Sequence, residues 1–166
     1  MKDTLRRLFH FKAWADDELL INMARLQEEA PATQLMVRAL SHSHIVDRIF
    51  MAHLKGASHA YQSANLAELP GLSDLAASIR ASDHEYVNYV ARLERDQLAE
   101  MIDFSFTDGA PGRMSREEML LHVITHGVGH RGQISAVMLL NALPPASDGF
   151  ATYLHQVEAA ARRRAA

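Results

Sequence analysis

The stretch LHVITHGVGHRGQ sets His122, His126 and His130 four residues apart in a segment that reads as helix. Four residues is about one turn, so neighbouring imidazoles stack on one face, and two of them can aim at one point as a transition-metal site requires. All three cannot serve one ion, because eight residues of helix rise about 12 Å. Either His122 with His126 or His126 with His130 is the ligand pair, and the remaining histidine is a neighbour or structural. In a chain with ten histidines a lone H-x-x-x-H pair carries little weight, whereas a consecutive row of three carries more.

Two ligands hold a catalytic ion poorly, so a third must come from another helix. A second helical segment offers His42, His44 and His53. His42 shares an apolar stripe with Leu35, Ala39, Ile45, Val46 and Ile49, which points it at the core, where a metal or a hydrogen bond would satisfy it. His44, beside Ser41, Asp47 and Arg48, reads as a surface residue. His53 lies roughly 16 Å along the helix from His42 and cannot share its ion.

Gly127, Gly129 and Gly132 crowd the same segment, and each costs about 1 kcal/mol against Ala in a helix interior. Close approach of a neighbouring helix is one cause, room for a substrate above a metal the other. The chain has no cysteine, so metal ligands must be His, Asp or Glu, and a thiol nucleophile would have to arrive as a cosubstrate. No general base stands out. Asp16, Asp17 and Glu18 read as a solvated acidic face, and Asp47, about 140° around the helix from His42, reads as a salt-bridge or surface residue. Arg131 could attract an anionic substrate, although a structural role suits it better. Trp14 belongs to the core or an interface.

The elements that must position these side chains are helical. Asp3 can cap a helix running to about Leu26, with Leu5, Leu8, Phe11, Ala15, Leu19 and Met23 near one face. Thr33, after Pro31, can cap a second helix ending before Gly56, and after a polar loop a third carries Leu72, Leu75, Ile79, Tyr86, Val90 and Leu93. Met101 to Met114 alternates like an extended connector without a partner strand, broken by Asp108-Gly109 and Pro111-Gly112. Ser115 and Glu118 spell a capping box that opens the fourth helix, which carries the histidine row and stops before Pro144-Pro145. A short helix from about Ser147 to Arg162 follows. This is an all-α chain, a four-helix bundle with an extra C-terminal helix.

At 166 residues, 48% hydrophobic and 22% charged, the chain fits one ordinary domain with a core that needs no structural metal. A formal charge of −3 gives no reason to expect nucleic acid or an anionic membrane as partner, and the basic run Arg162–Arg164 reads as a solvated helix end. No signal peptide or membrane span is evident, so cytoplasmic residence is the expectation.

HVITHGVGHRGQ followed by ISAVML resembles the C-terminal signature of the DinB family, and ALSHSHIVDRIFMAHLKG its second-helix segment. FKAWADDELL and FTDGAPGRMSREEML fit the same layout, so the resemblance covers almost the whole of residues 1–166 as one DinB-like domain. It implies an up-down-down-up bundle, usually a homodimer, with a divalent metal such as nickel or zinc held by three histidines. Those ligands fall on His42, His126 and His130, leaving His122 beside the site. His42 rather than His44 corresponds because the family histidine stands five residues before the Asp of D-R-I, here Asp47. One departure lies around Trp14-Ala15, where the family often has Asn and this chain has Lys12-Ala13 and Asp16.

Relatives that act on low-molecular-weight thiols such as bacillithiol and mycothiol make a thiol-dependent S-transferase or detoxification enzyme with a small-molecule substrate the first expectation. A metallohydrolase using metal-bound water and a non-catalytic stress-associated metal-binding protein are the alternatives. The last would need a closed coordination sphere, filled by a protein carboxylate or a fourth histidine.

Overall fold

The computed structural model describes residues 2–159. Its long helices are α1 (Lys2–Met23), α2 (Pro31–Lys55), α3 (Leu72–Arg92) and α4 (Arg116–Leu140), followed by α5 (Phe150–Gln156). Helix α2 starts at Pro31 rather than behind a Thr33 cap, since proline suits the first helical position and Thr33 is buried inside the helix. The Ser115/Glu118 capping box is present in both directions: Glu118 N–H donates to Ser115 Oγ at 3.2 Å, and Ser115 N–H to Glu118 Oε2 at 2.6 Å. Helix α5 begins at Phe150 rather than Ser147, and Asp148, ahead of it, accepts a hydrogen bond from Arg131. The expected end of that helix at Arg162, with the run Arg162–Arg164, lies outside the described residues.

Two apolar clusters define how the helices run. One joins Leu5 and Phe9 of α1, Phe50, Met51 and Leu54 of α2, Tyr86 and Val90 of α3, and Met119, Leu120 and Val123 of α4. The other joins Leu19, Leu20 and Met23 to Met36, Val37 and Leu40, to Leu72, Leu75 and Ile79, and to Ile134 and Met138. The starts of α1 and α4 therefore meet the ends of α2 and α3, which is the up-down-down-up arrangement. The loop of residues 56–71 is long enough to return the chain to the end where α2 began.

The connector before α4 is a hairpin, not a lone extended segment. Strand β1 (Met101–Ser105) pairs antiparallel with β2 (Pro111–Ser115), Phe104 standing opposite Gly112. The partner escapes a reading of pattern because PGRMS carries no alternation. Gly112 is required there, since a Cβ would come within 2.4 Å of the Phe104 ring. That ring covers β2 and packs on Phe50 and His53.

Between the two apolar clusters each of the four long helices contributes its middle turns to a buried polar layer. Lys12 and Asp16 come from α1, His44 and Asp47 from α2, Asp83 from α3 and Arg131 from α4. Lys12 Nζ lies 2.8 Å from Asp16 Oδ2, 2.8 Å from Asp47 Oδ2 and 2.6 Å from Asp83 Oδ1. Arg131 joins Asp16 at 2.8 Å and Asp148 at 3.0 Å. Such a layer survives burial because each charge is paired and hydrogen-bonded.

Candidate metal centre

The histidine site opens off this polar layer. Helix α4 presents His126 and His130, and α2 presents His42 from the neighbouring helix. Their rings stand 4.4 Å (His126–His130), 5.4 Å (His42–His126) and 4.9 Å (His42–His130) apart between centroids. One ligating nitrogen from each lies within 4.8 Å of the other two, and among the described residues no other group of three or more His, Asp or Glu converges in this way.

His126 Nε2 and His130 Nε2 face each other at 3.2 Å. Nitrogens held at about 2.0–2.1 Å from one tetrahedral ion lie about 3.3 Å apart, so this spacing suits a shared divalent cation. His42 is oriented from behind: its Nδ1 lies 3.1 Å from Asn65 Oδ1 in the 56–71 loop. The amide oxygen can only accept, so Nδ1 carries the proton and Nε2 keeps its lone pair for the site.

Burial pushes the His126 imidazole down to about 4, with His130, His122 and His42 nearby adding to the effect. Burial, then His42, also lowers His130, a hydrogen bond with Gln133 acting the other way. Neutral rings are the form that can ligate. His122 does not join the three. It stacks on Phe50 with centroids 4.5 Å apart and continues the row at 5.4 Å from His126, and burial lowers it too. His53 lies with His59 and Phe104, at 5.1 and 4.8 Å.

Four readings need correction. His44 is not a surface residue: it is buried, its Nε2 lies 2.7 Å from Ser78 Oγ, and burial with Lys12 and Arg48 takes it to about 4. Asp16 and Asp47 are buried partners of Lys12 rather than a solvated face and a surface position, although Asp47 does form the salt bridge. Leu35 is 55% exposed, so its stripe with His42 is the flank of α2, and His42 sits half-buried at the rim of the core. None of the three glycines meets a neighbouring backbone: a Cβ on Gly127 would touch the side chains of Arg131 and Lys12 at 3.4 and 3.6 Å, and Gly129 and Gly132 face open space. Arg131 is the structural residue expected, and Trp14 packs on Phe11 and Tyr153.

A four-helix bundle with three convergent imidazoles on two of its helices defines a class of helical proteins able to hold a divalent ion. The chain belongs to the DinB family, whose model matches residues 1–158. Protein DinB of Bacillus subtilis (strain 168) is 21% identical over 165 residues, covering 93% of this chain and 95% of that protein. The crystal structure of a DinB-like protein from Bacillus cereus ATCC 10987 superposes with a TM-score of 0.62 at 19% identity, over 83% of this chain and 91% of that one. At that identity the likeness is one of fold. No helix among the described residues is long and apolar enough to cross a membrane.

Proposed function

We propose that this chain is a divalent-metal-dependent enzyme of the thiol-dependent S-transferase type, with His42, His126 and His130 as ligands and nickel or zinc as the metal. It would act in the cytoplasm as a homodimer, taking a low-molecular-weight thiol and a small electrophile. The observation that carries this reading is the composition of the converging group. Three imidazoles meet there without a carboxylate, and the fourth histidine nearby, His122, is committed to Phe50. A protein set of three nitrogens leaves at least one position for an exchangeable ligand, which is the mark of a catalytic rather than a storage site. Such an ion, when bound, lowers the pKa of a coordinated thiol.

The chain's own residues supply the rest. Burial keeps His126 and His130 neutral, Asn65 aims His42, and the exposed Gly129, about one turn from His126, leaves that flank open to a small molecule from solvent. With no cysteine in the chain, the sulfur has to enter as substrate. Hydrolysis uses the same open position, and one experiment separates the two. Untagged, metal-loaded protein is offered a panel of thiols and electrophiles, with ester and amide substrates alongside. Thiol-dependent turnover that disappears in His126→Ala supports the proposal. Turnover that needs no thiol, or no metal-dependent turnover at all, contradicts it.

A further inference from the structure

Beside the histidine site a cavity of about 10 Å³ is lined by the polar residues Asp16, Ser43, His44, Asp47, His130 and Arg131, with apolar walls between them. That volume is about the room one water needs. Four of these six bring a buried atom with no hydrogen-bond partner: His44 Nδ1, Asp47 Oδ1, His130 Nδ1 and Arg131 Nη2.

Their chemistry sorts them into two pairs. Arg131 Nη2 can only donate, its other nitrogens being used by Asp16 and Asp148. With His130 Nε2 kept as a lone pair for an ion shared with His126, the proton of the neutral ring sits on Nδ1, a second donor. Asp47 gives Oδ2 to Lys12, which leaves Oδ1 as an acceptor. His44 meets Ser78 Oγ through Nε2, and with its proton there Nδ1 is a second acceptor. Two donors and two acceptors around one water-sized space are the complement of a single water molecule.

We propose that one ordered water fills this cavity, accepting from His130 Nδ1–H and Arg131 Nη2 and donating to Asp47 Oδ1 and His44 Nδ1. Asp47 thereby becomes a positioning residue for His130. It sets that ring's tautomer and basicity through the water, as a carboxylate does when it backs a metal-bound histidine. The tautomer and the effect on metal affinity rest on the three-histidine reading, whereas the water does not.

The test uses untagged protein, metal-free for the water and zinc-loaded for the tautomer. A crystal structure that resolves ordered solvent, with nitrogen NMR of the His130 ring, is expected to show one water within hydrogen-bond distance of the four atoms and a proton on Nδ1. A dry cavity, or a proton on Nε2, overturns the proposal. Zinc affinity is then measured by chelator competition. Asp47→Asn puts an amide N–H or a weakened Lys12 pairing where an acceptor is needed, and is expected to weaken zinc binding about 10–100-fold. Asp83→Asn removes another carboxylate from Lys12 without lining the cavity, and is expected to leave zinc binding unchanged. Equal losses in the two variants mean that the effect passes through Lys12 and overturn the proposal, as does a loss confined to Gln133→Ala. If wild type takes up no zinc, the metal reading falls, and the water alone decides this one.

Discussion

Asn65 Oδ1 lies 3.1 Å from His42 Nδ1, so a loop between α2 and α3 orients an imidazole that belongs to α2. Removing that acceptor frees the ring to rotate and to move its proton. Asn65→Ala is expected to weaken zinc binding about 10–100-fold in chelator competition, and Asn65→Asp, which keeps the acceptor, to retain it. Unchanged affinity in Asn65→Ala would mean that the loop plays no part in holding His42.

The buried polar layer sets up a contrast between two aspartates that both touch Lys12. Asp16 is pushed up by burial but held below the usual carboxylate range by Lys12 and Arg131, so it stays ionised. Asp83 is pushed up by burial to about 7 despite Lys12. Asp83→Asn is therefore close to a state the protein already visits at neutral pH, and is expected to cost less than about 1.5 kcal/mol. Asp16→Asn turns an amide N–H toward a cation and is expected to cost about 3–5 kcal/mol. Urea unfolding at pH 7 makes the comparison, and equal costs would contradict the assignment.

The same shift has a sign in pH. A carboxyl raised in the folded state binds a proton that the unfolded chain releases, so its contribution is full below the ordinary carboxylate range and is lost as pH rises through about 7. His44 and His126, both near 4, act in the opposite sense, but only as pH falls from about 6.5 toward 4. Between pH 6.5 and 8.5 wild type is expected to lose stability that Asp83→Asn does not lose. Parallel curves for the two proteins would show that Asp83 does not carry that proton.

The bundle is written plainly in the chain because helix periodicity, the Ser115 cap and the Pro and Gly breaks all act locally. The polar layer is written there too, in a form that invites misreading. Leu5, Phe9, Lys12, Asp16, Leu19 and Met23 follow one heptad stripe, as do Val37, Leu40, His44, Asp47, Met51 and Leu54. Charges on a core stripe look like errors of register until charges from other helices meet them, and no periodicity shows that Lys12 reaches Asp83. The hairpin was hidden because β2 holds its place through Gly112 under Phe104 rather than through alternation. Helix rise alone left two possible α4 pairs. In the fold His126 and His130 reach His42 while His122 is occupied by Phe50.

His122 provides the complementary check on the ligand set. His122→Phe preserves the stack on Phe50 and removes the nitrogens, and is expected to keep a full metal load. Loss of metal in that variant would move the α4 pair one turn toward the N-terminus.

Gly129 costs the helix about 1 kcal/mol against Ala, and an added Cβ would meet nothing within 4 Å. Gly129→Ala is expected to raise stability by about that amount while weakening thiol binding to the metal-loaded protein. A gain in stability with unchanged thiol binding would show that the open space beside Gly129 is not where substrate sits.

Metal content measured on protein purified without an affinity His tag bears most directly on the three-histidine site. Wild type is expected to carry or take up one divalent ion per chain, and His42→Ala, a change on α2 far in sequence from the α4 pair, to lose it while remaining folded. An undiminished stoichiometric load in His42→Ala would contradict a site shared between α2 and α4.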